Sequence, residues 1–230
     1  MPASWIKYIA ITTMIIDHIG LFFFPHLTLM RDIGRISFPL FAWLIANGAH
    51  NTSNIFGYLR RLFILALISQ IPFTLANQQI GSPLFYLNVL FTLCLGLLAI
   101  LAIEKNKNIF LQALIVISCS IMATIIHSDY GAAGVLAVVA SYIFLKNKVG
   151  LFVSMTCIFI ALPVMMNVLQ KTSTTPSFLF SYISPERYAL LALPVIFLYN
   201  NKKGYNAKYL FYIIYPLQYI FIFLALSLSN

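Results

Sequence analysis

The chain has 230 residues, 61% of them hydrophobic and 8% charged, with a formal net charge of +9. Its mean hydropathy of +0.93 lies far above that of a soluble domain. The basic residues sit in short pairs between apolar runs, with no strongly basic stretch, so the charge reads as membrane topology and no nucleic-acid partner is expected.

Apolar runs near 18 residues recur along the chain, and each can cross a hydrocarbon core of roughly 30 Å. A span must be a helix or part of a closed barrel, because lipid offers the backbone no hydrogen bonds. These runs are continuously apolar, whereas barrel strands alternate over about ten residues. The expected fold is all-α: a polytopic transmembrane helical bundle of about nine spans, one integral membrane domain over 1–230.

The first span is read at Trp5–Phe24. Asp17 and His18 interrupt it and no A-x-A site follows, so it reads as a retained span and not a cleaved signal. The second is placed at Ile33–Ala49, the third at Tyr58–Leu75 and the fourth at Leu84–Ile103. The fifth is Ile109–Ile126, the sixth Gly131–Leu145 and the seventh Val149–Leu169. The eighth, Pro185–Tyr199, opens on Ser184-Pro185-Glu186-Arg187, with Ser as cap, Pro at the first position and Glu in the first turn. Its 15 residues reach about 22 Å, so it is tilted little or starts below the outer surface. The preceding Phe178–Ile183 is aromatic enough to lie in the interface. The ninth is Tyr209–Ser227. Pro39, Pro72, Pro194 and Pro216 fall within or near spans, as membrane helices tolerate.

With the N-terminus in the cytoplasm, the inner segments hold Lys7, Arg60, Arg61, Lys105, Lys107, Lys146, Lys148, Lys202, Lys203 and Lys208. The outer segments hold only Arg31, Arg35, Lys171 and Arg187. This bias predicts an N-terminus inside and, for an odd number of spans, Asn230 outside. Cys94, Cys119 and Cys157 lie inside apolar runs with no CxxC spacing, so they read as core residues and no metal site is expected.

Ionisable groups inside spans are costly and mark functional sites by default. Asp17 and His18 are the candidate catalytic residues. Neighbouring helical residues point about 100° apart, so His18 is presented apart from Asp17, as an imidazole able to take a proton near neutral pH. The plainer alternative is a core histidine bonded to a neighbouring helix. Arg31 and Arg35, four apart on one face, repel unless something anionic lies between them. Asp17, Asp129, a lipid phosphate or an anionic substrate group would serve, with Asp32 as the local partner of Arg35. His127-Ser128-Asp129-Tyr130-Gly131 forms a short turn in which Asp129 or Ser128 either caps the sixth helix or faces the cavity of His18 and Arg31. Arg60 and Arg61 read as headgroup residues, and Gln70 and Asn88 as interhelical hydrogen-bonding groups. No GxSxG, Walker, HExxH or GxGxxG motif is present.

An ordered set of fragments resembles the TraX family of bacterial membrane proteins across nearly the whole chain. They are Ile16-Asp17-His18-Ile19-Gly20, Arg31-Asp32-Ile33-Gly34-Arg35-Ile36-Ser37-Phe38-Pro39-Leu40-Phe41, Tyr58-Leu59-Arg60-Arg61-Leu62-Phe63 and Asn88-Val89-Leu90-Phe91-Thr92-Leu93. Asp129-Tyr130-Gly131, Ala189-Leu190-Leu191-Ala192-Leu193-Pro194 and Phe211-Tyr212-Ile213-Ile214-Tyr215-Pro216 complete it. The resemblance implies a pilin-acetylation or conjugal-transfer protein of the bacterial inner membrane. It is similar to membrane acyltransferases such as the sugar O-acetyltransferases and heparan-glucosaminide acetyltransferase. Those use acetyl-CoA and an early-span histidine, matched here by His18. Arg31 and Arg35 match the family's arginine pair, and Asn88, Asp129, Tyr130 and Gln218 are the further residues expected to bind donor or acceptor. The last family motif usually reads Tyr-Pro-x-His, and Gln218 stands at that histidine's place. A glutamine keeps a hydrogen-bonding group but carries no proton, so the weight falls on His18. The expected function is transfer of an acetyl group from acetyl-CoA, with no metal, to an amine or hydroxyl at the outer face. The expected partners are membrane lipid, acyl-CoA, and a pilin-like protein or a glycan as acceptor. The alternative is a non-catalytic transporter, flippase or appendage-assembly factor.

Overall fold

The computed structural model describes residues 1–164, 185–205 and 208–229. Those residues are helical, with one isolated parallel bridge between Leu87 and Ser128. The helices are α1 Ala3–Phe23, α2 Thr28–Gly34, α3 Ser37–His50, α4 Ile55–Gln78, α5 Val89–Lys105, α6 Ile109–Ile125, α7 Gly131–Ile143 and α8 Lys148–Thr156. A π-helical turn Cys157–Ala161 continues α8, a 3-10 helix Pro185–Leu191 leads into α9 Ala192–Phe197, and α10 is Lys208–Ser229. The chain forms two compact units: Met1–Leu44 with Ile143–Gly204, and Ile45–Tyr142 with Tyr205–Asn230.

Asparagines set several helix starts. The side-chain oxygen of Asn54 accepts from Gly57 N at 2.6 Å, that of Asn88 from Leu90 N at 3.0 Å, that of Asn108 from Phe110 N at 2.9 Å and that of Asn147 from Gly150 N at 2.9 Å. Each satisfies an amide that has no intrahelical acceptor. This moves two predicted boundaries. The third span begins at Ile55, three residues before Tyr58, and the fourth begins at Val89, because Leu84–Asn88 is drawn into a turn.

The second expected span, Ile33–Ala49, is not one helix. It breaks after Gly34 and restarts at Ser37. Proline supplies the reason: in a continuous helix the Pro39 ring would collide with the carbonyl of Arg35 and leave it without a donor. Ser37 instead donates its hydroxyl to Ala10 O at 3.0 Å, tying the restart to α1. The eighth expected span also differs. Pro185 does open it, but its first seven residues are 3-10 and only Ala192–Phe197 is α-helical. The larger rise of 3-10 helix keeps its reach near 20 Å. The Ser184 cap, the interfacial Phe178–Ile183 and Lys171 lie outside the described residues, as do 165–169 of the seventh span and Asn230.

Among the described residues three helices are long and apolar enough to cross a membrane: Ala3–Phe23, Ile55–Gln78 and Leu210–Leu228. Shorter apolar helices occupy Ile109–Ile125, Gly131–Ile143, Lys148–Val164 and Arg187–Phe197. The expectation of about nine full spans is thus finer than these helix lengths support. Apolar faces stand exposed on the longer helices. On α6 the stripe Phe110, Leu114, Ile117, Ile121 and Ile125 is more than half exposed, and Phe63, Leu67 and Ile71 repeat the pattern on α4. A water-soluble fold rarely leaves such stripes, whereas lipid is their natural solvent. The chain is a membrane protein.

Within the first unit α1 lies along α2, and α2 packs on the 3-10 helix, which also touches α8 and the π-helical turn. Trp43, 1% exposed, meets the Tyr199 ring edge-on at 4.7 Å. Within the second unit α4 packs on α5 and α10, and α5 on α6. Gly96 lets α5 approach α7, since a Cβ there would stand 2.6 Å from Val138 Cβ.

Candidate functional site

In the first unit two glycines bring α1 and α2 close enough for a charged contact. A Cβ at Gly20 would lie 2.6 Å from Met30 Cβ, and one at Gly34 would lie 2.1 Å from Asp17 Oδ1 and 2.3 Å from Asp17 Cβ. This close approach sets Arg31 against Asp17. Arg31 Nη1 meets Asp17 Oδ2 at 2.8 Å and donates to the Asp17 main-chain oxygen at 3.3 Å. The side chains are 25% and 18% exposed, so water screens the pair only in part. Of the anions that sequence offered for the arginines, the structure gives Asp17 to Arg31.

That contact uses one nitrogen of a guanidinium that carries five N–H donors. Arg35 closes α2, its amide bonded to Arg31 O at 3.1 Å, so the two arginines do stand one turn apart. His18 follows Asp17 on α1 and is partly exposed. The unit therefore collects His18, Asp17, Arg31 and Arg35 on α1 and α2.

The remaining predicted residues lie in the second unit, where Asn88, Asp129 and Tyr130 share one polar knot. Asn88, fully buried, donates through Nδ2 to Ala66 O at 3.0 Å and to Gln70 Oε1 at 2.8 Å. Gln70 Nε2 in turn donates to Tyr86 O at 2.9 Å and to Thr74 Oγ1 at 3.0 Å. Leu87 N donates to His127 O at 3.1 Å and Asp129 N to Leu87 O at 3.0 Å, which ties the start of α5 to the turn before α7. Thr92 donates to Ser128 Oγ at 2.9 Å and to the Asp129 main-chain oxygen.

The Asp129 carboxylate accepts from Tyr86 Oη at 3.0 Å and from Tyr130 N at 3.0 Å through the same Oδ1. It therefore stands at the α7 N-terminus, on the amide of the residue before the helix. Ser128 bonds Ala123 O at 2.9 Å, back into α6. Gln218 is on α10, half-buried, between the buried Tyr215 and Tyr219. Those tyrosine rings lie 5.6 Å apart, and Tyr219 meets Phe73 at 5.2 Å.

Sequence reading missed Tyr86 and Thr92. Tyr86 lay inside a stretch read as the opening of the fourth span. Thr92 belongs to the Asn88–Leu93 fragment, and its hydroxyl inside an apolar run was the available signal.

The model of the TraX protein family matches residues 3–227. A probable fimbrial assembly protein, FimC of serogroup H1 from Dichelobacter nodosus, is 28% identical over 94% of this chain and 92% of its own length. An uncharacterized protein of Rickettsia prowazekii (strain Madrid E) is 29% identical over 68% of this chain and 60% of its own. No solved structure matches. A match that runs over almost every residue, including each polar cluster described above, settles the family: the chain belongs to the TraX family.

Proposed function

We propose that this chain is a membrane acyltransferase that moves an acetyl group from acetyl-CoA to an amine or hydroxyl of a pilin-like protein or a glycan. The observation that carries the reading is His18 set one residue from an ion pair in otherwise apolar helices. The family membership supports it, and so does the name of the Dichelobacter relative, which speaks of fimbrial assembly. His18 takes the proton from the acceptor N–H or O–H as the acceptor atom bonds to the thioester carbonyl. It returns that proton to the departing thiolate as the C–S bond breaks. Arg31 and Arg35 hold an anionic part of the donor or stabilise the developing oxyanion. The family resemblance adds Asn88, Asp129, Tyr130 and Gln218 as further residues for binding donor or acceptor. The test is direct. Purified protein in lipid vesicles, given labelled acetyl-CoA and a pilin-like or glycan acceptor, should transfer label or release CoA above a His18→Ala control. Equal rates for the two proteins would remove the reading.

In this reading the chain crosses the bacterial inner membrane about nine times with its N-terminus in the cytoplasm, as the lysine and arginine bias requires. Reporter fusions after Lys148 and after Asn230 are expected to give opposite signals. Matching signals would mean one span fewer, and the 3-10 segment at Pro185–Leu191 is the first to doubt.

The name of the same relative also favours a second reading, a non-catalytic assembly factor for a surface appendage. Under it, His18→Ala would support appendage assembly as well as wild type.

A further inference from the structure

We propose that Tyr86 is a positioning residue of this site, its hydroxyl fixing the Asp129 carboxylate in the orientation that meets the acceptor. The inference rests on the acceptor-binding reading of Asp129 given above. It starts from how Tyr86 itself is held. Its ring stacks on Phe73 with centroids 5.9 Å apart and planes 24° apart. Its carbonyl accepts from Gln70 Nε2 at 2.9 Å, and Gln70 Oε1 is held by Asn88 at 2.8 Å. Phe73 of α4 thus holds the ring, and Gln70, itself held by the α5 cap, holds the main chain at Tyr86. Its hydroxyl then reaches Asp129 Oδ1 at 3.0 Å, 43 residues further along the chain.

The turn that carries Asp129 is strained. His127 has φ 50° and Tyr130 φ 62°, in the left-handed region that non-glycine residues avoid, and Gly131 follows at φ 43°. Such a turn persists only where its surroundings over-determine it. Here the main chain does so, through Leu87 N to His127 O, Asp129 N to Leu87 O and Gly131 N to Ser128 O at 2.9 Å. The Ser128 and Thr92 hydroxyls add to it. The Tyr86 hydroxyl is not part of this framework. It bonds the carboxylate directly, beside the Tyr130 amide on the same oxygen. Removing it leaves the ring, the ladder and the turn in place and takes from Oδ1 the donor that comes from outside the turn.

That separation makes the role testable with Tyr86→Phe, Asp129→Ala and the double variant in lipid vesicles. Tyr86→Phe should melt close to wild type yet raise the acceptor KM about tenfold at nearly constant kcat, the loss of one hydrogen bond to a charged group. The double variant should be no worse than Asp129→Ala, because the carboxylate that the hydroxyl positions is gone. A wild-type KM for Tyr86→Phe, or additive losses in the double variant, would overturn the proposal. A second readout needs no activity: water-soluble carbodiimide should modify Asp129 several-fold faster in Tyr86→Phe than in wild type, read by peptide mass spectrometry. Unchanged modification would also overturn it. A wild-type protein without acetyl-CoA turnover would refute the proposed reaction, and the carbodiimide rate would still decide the role of Tyr86.

Discussion

Gly34→Ala is expected to separate Asp17 from Arg31 and to lower stability and turnover together. The new methyl would stand 2.1 Å from Asp17 Oδ1 and 2.3 Å from Asp17 Cβ. A carboxylate oxygen can swing away, but the Cβ is fixed to α1. Either α2 must retreat or Asp17 must leave its rotamer, and both open the 2.8 Å contact with Arg31. Overpacking of this kind costs about 1–3 kcal/mol, or roughly 2–10 °C in melting temperature for a chain of this size. The displaced pair leaves a half-buried guanidinium short of its anion, a further loss of about 1.5–3 kcal/mol. Gly20→Ala is the matched control. Its methyl would meet Met30 Cβ at 2.6 Å and so strains the same helix pair, without touching the carboxylate. Both variants should melt early in detergent, and Gly34→Ala should raise the KM for acetyl-CoA by more than Gly20→Ala. If Gly34→Ala binds donor like wild type, the close approach serves packing alone.

Much of the fold could be read from the sequence, because membrane helices declare themselves by apolar length. Every apolar run holds at least one helical segment in its described part. What misled was the assumption that a run and a helix share ends. Asn54 and Asn88 cap their helices at places hydropathy does not mark, since the cap depends on one amide oxygen and not on polarity over a window. The break at Arg35 was legible in principle from Pro39, whose effect falls four residues upstream. Within the site, the sequence showed that two arginines one turn apart need an anion, and Asp17 was among those named. Which anion it would be depended on α1 and α2 touching at Gly20 and Gly34, a contact that no spacing reveals. Tyr86 stayed hidden for a related reason. Among Leu84, Phe85 and Leu87 it looks like span, and only the ladder between Leu87 and the 127–129 turn draws it out of the helix.

His18→Ala and Asp17→Asn are expected to damage the proposed reaction in different parameters, although the two residues are neighbours. As general base, His18 acts only in the chemical step, so His18→Ala should lower kcat by about 10²–10⁴ with donor KM little changed. His18→Gln should rescue none of it, because an amide carries no proton. Asp17 stands differently. Its Oδ2 is held by Arg31 at 2.8 Å, and successive side chains on α1 diverge by about 100°. Its part is then to hold the guanidinium, and Asp17→Asn should show chiefly as a raised KM for acetyl-CoA, with kcat within about threefold of wild type. Charge balance adds a second test. Asp17→Asn leaves the Arg31 cation in a largely apolar setting with neutral oxygens, the side-chain amide and the main-chain oxygen at 3.3 Å, in place of a carboxylate. Replacing both, as Asp17→Asn with Arg31→Met, removes the stranded cation. The double variant should therefore insert and melt better than Asp17→Asn alone, while binding donor no better. Should Asp17→Asn instead cut kcat as deeply as His18→Ala at unchanged KM, Asp17 would act through the imidazole, and the ion pair with Arg31 would be a resting arrangement that gives way during turnover.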